Sequence, residues 1–146
     1  MKISEFLSPT DVTADGAFSD KQKLLEELAR KAGSIVDVPA DRILSELLKR
    51  EQLGSTGVGG GVAIPHARFY QLDKPLGMLV RLKKPIAFDA VDEKPVDTVF
   101  LLLLPETGDP LGALAGIARA LRDPAIMAAL RRARSAAEIY RALTAG

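Results

Sequence analysis

The run Asp97-Thr98-Val99-Phe100-Leu101-Leu102-Leu103-Leu104 has six apolar residues in succession after Thr98. Such a run leaves no face for water, so it reads as a strand covered on both sides. A strand of that kind needs cover on both faces of its sheet, and the flanking sequence offers helices for it. Upstream, Ser19 or Asp20 can cap a helix through Lys31, with Leu24, Leu25 and Leu28 at helical spacing and Gly33 as the stop. Pro39 is placed as a first-turn proline for a second helix, whose apolar face is Ile43, Leu44, Leu47 and Leu48 and which runs out near Leu53. Downstream, Asp109-Pro110 and Asp123-Pro124 each pair an N-cap aspartate with a proline at the first helical position. Ser135-Ala136-Ala137-Glu138 fits a capping box for a last helix through Leu143.

Between the helical blocks, Gly77 to Leu82 reads as a strand, and Val62-Ala63-Ile64 is a short apolar segment leading into Pro65-His66. Pro85, Asp92 and Pro95 mark turns, and residues 1–18, with Pro9 and Gly16, read as irregular. Two helices, a strand-rich centre and three helices predict an α/β fold of three layers, a mixed β-sheet sandwiched between helices. No internal repeat, low-complexity tract or long linker divides the 146 residues, so a single domain over 1–146 is expected.

Composition narrows the chemistry. With 47% hydrophobic and 27% charged residues, the chain falls in the globular range. Twenty Lys+Arg against nineteen Asp+Glu leave a formal charge of +1, which gives no global drive toward nucleic acid or an anionic membrane. Arg119, Arg122, Arg131, Arg132, Arg134 and Arg141 crowd the C-terminal third, but no aromatic residues interleave with them for base stacking. They read better as solvated helix faces. The absence of cysteine excludes disulfides, thiol nucleophiles and cysteine-ligated metals, and one histidine argues against a zinc site. No cofactor or metal is expected. The N-terminus lacks a secretory pattern, and the apolar runs fall far short of the ~20 residues that span a bilayer, so a soluble, cytoplasmic protein is expected.

The chemical signal is concentrated in Arg50-Glu51-Gln52-Leu53-Gly54-Ser55-Thr56-Gly57-Val58-Gly59-Gly60-Gly61-Val62-Ala63-Ile64-Pro65-His66. A basic residue at a helix end precedes a glycine-rich loop with two hydroxyls, and a lone imidazole follows on a short strand. Glycines let backbone N–H groups turn toward an anion and hydroxyls add donors, so such a loop can cradle phosphate. A neutral imidazole has a free ring nitrogen near pH 7 and can serve as a nucleophile. Together these parts suit phosphoryl transfer through a phosphohistidine. Other motifs fail: no Lys follows Gly59 as a P-loop needs, Val62 stands where a dinucleotide fingerprint needs glycine, and Leu53 precedes Ser55 where a nucleophile elbow needs glycine. Local residues alone leave both readings open, since a lone histidine is more often packed than catalytic and a glycine-rich loop is often only a turn.

The stretch from Arg50 to His66 closely resembles the signature of phosphotransferase-system EIIA proteins of the fructose/mannitol type, especially their nitrogen-regulatory branch. The likeness continues through Pro85-Ile86-Ala87-Phe88-Asp89-Ala90 and Pro95-Val96-Asp97 and into the helical end. The resemblance implies the EIIA fold, with His66 as the histidine phosphorylated on Nε2 and Arg50 as an arginine beside the phosphate. It also implies Ser55, Thr56, Gly57 and Gly59, with Gly61, as the phosphate-binding loop. The expected donor is an HPr-like carrier protein, and the expected readout is contact with regulatory or potassium-transport proteins. One departure stands out: Pro110 occupies the position where the family commonly has a second histidine. Two alternatives stay open, a sugar-specific EIIA that passes phosphate to an EIIB and a binding module that no longer transfers phosphate.

Overall fold

The apolar run is the centre of the molecule. In a computed structural model, which describes residues 1–145, strand β6 spans Val96–Pro105 and has neighbours on both edges. On one edge it pairs antiparallel with β5 (Leu76–Ile86), which in turn pairs parallel with β1 (Leu7–Gly16). On the other edge β3 (Val62–Ala63) and β4 (His66–Phe69) follow one another parallel to β6. Strand β2 (Gly57–Gly59) closes that side by pairing antiparallel with β3.

Side chains of β6 alternate between two cores, as the two-residue period of a strand requires. Val99, Leu101 and Leu103 pack with Leu24 and Leu28 of helix α1 (Lys21–Gly33) and with Ile43 and Leu47 of α2 (Ala40–Gln52). Phe100, Leu102 and Leu104 pack with Ile117 of α3 (Pro110–Ala120), Leu130 of α4 (Pro124–Arg132) and Ile139 and Leu143 of α5 (Ala136–Thr144). Two helices therefore cover one face of a mixed sheet and three cover the other, the three-layer architecture that the sequence predicts.

The helix starts follow their caps. Asp20 accepts from the Lys23 N–H at 2.8 Å, Asp109 from Gly112 at 3.1 Å and Asp123 from Ala125 at 2.9 Å. Each satisfies an amide that the first helical turn leaves without a partner. Pro39 is the residue before α2 and not its first. Ser135 accepts from Glu138 N–H, but the Glu138 carboxylate turns to the amide of Arg134, so the capping box is shifted outward by one residue.

Two further expectations are corrected. Residues 7–16 form a strand although Pro9 and Gly16 break the pattern. β1 is an edge strand, so Pro9 needs no ladder partner, and five steps from Leu7 to Val12 oppose only two from Gly77 to Leu79, which places Pro9 in a bulge. Gly16 is required by packing, since a Cβ there would lie 2.5 Å from Val80 Cγ1. Pro85 likewise falls inside β5, in the stretch where register is broken between Arg81 and Ile86, and marks a bulge where a turn was expected.

Candidate functional site

The loop from α2 to β4 is shaped by its glycines and fastened by its polar side chains. Leu53 caps the end of α2, and the chain leaves through Gly54 at φ 145°. Arg50 Nη1 donates to the Gly54 carbonyl at 2.8 Å, fastening the chain where it leaves α2. β2 and β3 are joined by Gly60 and Gly61, at φ 67° and 80°. A tight two-residue hairpin turn with positive φ at both positions suits glycine and few other residues. Arg131 and Asp92 hold this turn from outside, through the Gly60 carbonyl at 2.6 Å and the Gly60 N–H at 3.0 Å.

His66 opens β4 opposite Leu102. Its Nδ1 lies 2.8 Å from the Ile64 carbonyl oxygen. A carbonyl only accepts, so Nδ1 carries the proton in that bond and the lone pair of the neutral ring is on Nε2. The half-buried ring shares an open cleft of about 300 Å³ with Ala67 and Arg68 of β4 and with Glu46, Lys49, Arg50 and Leu53 at the end of α2. Burial pushes the His66 pKa below the ordinary histidine value; the Ile64 bond and Glu51 oppose the shift, while the Arg50 and Arg68 charges add to it. The site thus favours the neutral, nucleophilic imidazole beside three basic side chains.

Ser55, Thr56 and Gly57 pack against the protein. Ser55 Oγ donates to the Phe88 carbonyl at 2.7 Å and accepts from Gly57 N–H at 3.0 Å. Thr56, 3% exposed, gives its N–H to Glu51 Oε1 at 3.0 Å and its hydroxyl to Glu51 Oε2. Gly57 is pressed against the 87–95 loop, where a Cβ would meet Ala90 Cβ at 2.8 Å. Gly59, at φ 99°, faces Asp92. The structure therefore brings Arg50 and His66 into one cleft and gives Ser55, Thr56, Gly57 and Gly59 partners within the protein.

Residues 5–146 match the family described as phosphoenolpyruvate-dependent sugar phosphotransferase system, EIIA 2. The chain belongs to this EIIA family. A curated "Nitrogen regulatory protein" of Bradyrhizobium diazoefficiens is 43% identical over 98% of this chain and 95% of its own. A "PTS system fructose-specific EIIA component" of Haloferax volcanii is 38% identical over 79% of this chain and 72% of its own. Among solved structures, the nitrogen regulatory protein IIA-Ntr from Neisseria meningitidis superposes with a TM-score of 0.92 at 35% identity, over 97% of this chain and 99% of that one.

Within this EIIA chain, sequence reasoning passed over several residues at the site. Glu51 stood inside the quoted motif without a role, yet its carboxylate collects Thr56 and the Lys21 ammonium, the latter at 2.9 Å. Lys21 also reaches the Phe88 carbonyl at 3.4 Å and lies 4.5 Å from that ring's centroid. Arg68 had one available signal, its place two residues beyond His66 on the same strand. Pro110 is buried at the first position of α3, behind the Asp109 cap. Among the described residues, no group of three or more acidic or histidine side chains is placed to hold a metal ion. Nor is any helix there long and apolar enough to cross a membrane.

Proposed function

We propose that this EIIA chain accepts a phosphoryl group on His66 Nε2 from an HPr-like carrier and signals its phosphorylation state through protein contacts in the cytoplasm. The observation that carries the reading is the bond from His66 Nδ1 to the Ile64 carbonyl, with Arg50 lining the same cleft. In the transfer, one N–P bond forms at Nε2 as the N–P bond of the carrier's phosphohistidine breaks. The carrier's ring, protonated on its other nitrogen, leaves as a neutral imidazole, and His66, which keeps its Nδ1 proton, takes over the positive ring charge. Such a loose phosphoryl transition state needs positioning and charge more than covalent help, and Arg50, Arg68 and Lys49 supply the charge. Ser55, Thr56, Gly57 and Gly59 build the frame that presents the histidine, and no metal or cofactor takes part. Transfer here proceeds without the stabilisation that a second imidazole would add, since Pro110 takes its place.

Likeness to curated nitrogen regulatory proteins along nearly the whole chain supports a regulatory output; the partners proposed for it are regulators or potassium-transport proteins. Incubation with enzyme I, carrier and phosphoenolpyruvate should add a single acid-labile phosphoryl group by intact mass, absent in His66→Ala. An acid-stable adduct, or one on Ser55 or Thr56, would overturn the assignment. A second reading, a sugar-specific EIIA, is favoured by the likeness to the fructose-specific component of Haloferax volcanii. Rapid passage of the phosphoryl group to an added fructose-type EIIB domain would select that reading over the regulatory one.

A further inference from the structure

We propose that Glu51 is a positioning residue for His66: through Thr56 and Ile64 it fixes the imidazole as the Nδ1–H tautomer and presents Nε2 to the incoming phosphoryl group. This rests on the reading of His66 as the acceptor and adds to it the group that orients the ring.

The connection is continuous and each link is a hydrogen bond. Glu51 has a side chain only 6% exposed and is paired with Lys21 at 2.9 Å. Its two carboxylate oxygens take the N–H and the hydroxyl of Thr56, so both donors of one residue are held by one anion. The Thr56 carbonyl then accepts from the Ile64 N–H at 3.0 Å. The Ile64 carbonyl accepts from His66 Nδ1 at 2.8 Å. Thr56 is buried and so is Ile64, 3% exposed each, so water does not compete for the intermediate bonds. Charge-assisted bonds to a carboxylate are about twice as strong as neutral ones, which makes Glu51 the firm end of the chain.

The other contacts around Thr56 favour this direction of control. Lys21 is anchored a second time, by the Phe88 carbonyl that also receives the Ser55 hydroxyl. Helix α1, helix α2, the Ser55-Thr56 segment and the 87–95 loop therefore meet at Glu51 and Phe88. A tilt of the Ile64 carbonyl would release Nδ1, and the imidazole would be free to place its proton on either nitrogen. Only the ring with a free Nε2 lone pair can make the N–P bond proposed above. Glu51 touches neither the phosphoryl group nor the carrier and acts only through Thr56 and Ile64.

The test combines a spectroscopic and a kinetic readout on the full chain. Long-range ¹H–¹⁵N spectra of the unphosphorylated protein, at a pH where the ring is neutral, report the tautomer of the lone histidine. In the parent, the Nδ1–H form should dominate. Glu51→Gln offers Thr56 one acceptor instead of two and leaves Lys21 without its counter-charge, so the spectrum should shift toward mixed tautomers. With phosphorylated carrier, the same variant should lose kcat on the order of 10- to 10²-fold with KM for the carrier unchanged, since positioning and not docking is disturbed. Thr56→Val removes only the hydroxyl link and should show a smaller change of the same kind; it decides the matter if Glu51→Gln does not fold. Parent tautomer and parent kcat in the folded variants would overturn the proposal. If the parent itself takes no phosphoryl group, the acceptor reading fails, while the tautomer comparison still decides what Glu51 does to His66.

Discussion

Arg131 on α4 and Asp97 near the start of β6 form a two-point ion pair, Nε to Oδ2 at 3.1 Å and Nη2 to Oδ1 at 3.0 Å. The same Nη2 donates to the Gly60 carbonyl at 2.6 Å, so a C-terminal helix is tied to the turn of the β2–β3 hairpin. A lysine presents a point charge and cannot reproduce this forked arrangement. Arg131→Ala should therefore cost about 1–2 kcal/mol, more than an ordinary exposed pair, and Arg131→Lys should recover less than half of it. Urea unfolding of the three proteins checks the order, which fails if lysine restores the parent midpoint.

Gly57 and Gly59 are expected to respond differently to alanine, because they are glycines for different reasons. At Gly57 the obstacle is the backbone of Ala90, whose Cα would lie 2.9 Å from the new Cβ, and backbone cannot rotate away. Overpacking of this kind costs about 1–3 kcal/mol. At Gly59 the nearest neighbour is an Asp92 carboxylate oxygen at 3.5 Å, so space is adequate and the φ of 99° is the difficulty. Residues with a Cβ rarely hold that conformation. Gly57→Ala should push the 87–95 loop outward, visible as faster amide exchange of Val91, whose N–H donates to the Gly57 carbonyl. Gly59→Ala should leave that amide as protected as in the parent while lowering the melting temperature.

What the sequence disclosed, and what it hid, follows from the range of the forces. The unbroken run through Leu104 announced a strand buried on both faces because burial is written residue by residue. Asp20, Asp109, Asp123 and Ser135 announced helix starts because a cap acts within three residues. β1 was concealed because its edge position and its bulge excuse Pro9 from the rules that govern an inner strand. At the site, His66 and Arg50 stood out by type and by the motif around them. Glu51's partners did not, since Lys21 lies thirty residues upstream and no periodicity links it to α2. For Ser55 and Thr56, a hydroxyl beside glycines reads the same whether it faces a ligand or a carbonyl. The fold delivers Phe88 and Glu51 to them, partners that no local pattern announces.

Acid should affect both the activity and the stability of the protein through His66. Its pKa lies below the ordinary histidine value, chiefly because burial penalises the charged ring. The neutral nucleophile should thus persist below the ordinary value of about 6.5, and phosphoryl transfer should decline only at more acidic pH. For stability, the unfolded chain takes up the proton first. Stability is therefore undiminished above the unfolded value, falls as pH drops from there toward the folded value, and levels off below it. Replacement by Gln removes the titration, so the difference in unfolding free energy between parent and His66→Gln should depend on pH in that window alone. A histidine NMR titration with its midpoint at or above the ordinary value would contradict both expectations.

Arg50 is expected to separate function from stability, because its two roles differ in strength. Its one side-chain hydrogen bond among the described residues, to the Gly54 carbonyl at 2.8 Å, fastens the chain just beyond α2 from a partly exposed position. Loss of such a bond costs about 0.5–1.5 kcal/mol. Its charge at His66 matters more once the phosphoryl group arrives. A guanidinium facing phosphate can give two parallel N–H···O bonds, and a dianion beside a half-buried ring has few other donors. Arg50→Ala should slow phosphorylation by on the order of 10²-fold, as removal of a preorganised donor does elsewhere. Arg50→Lys keeps the charge and loses the fork, and should fall between the two. Arg50→Ala also removes a cation that disfavours imidazolium, so the His66 titration midpoint should rise in that variant and stay near that of the parent in Arg50→Lys. Single-turnover transfer from phosphorylated carrier, run alongside the histidine titration, measures both effects on one set of proteins. Unchanged transfer in Arg50→Ala with a large drop in melting temperature would make Arg50 a structural fastening and nothing more.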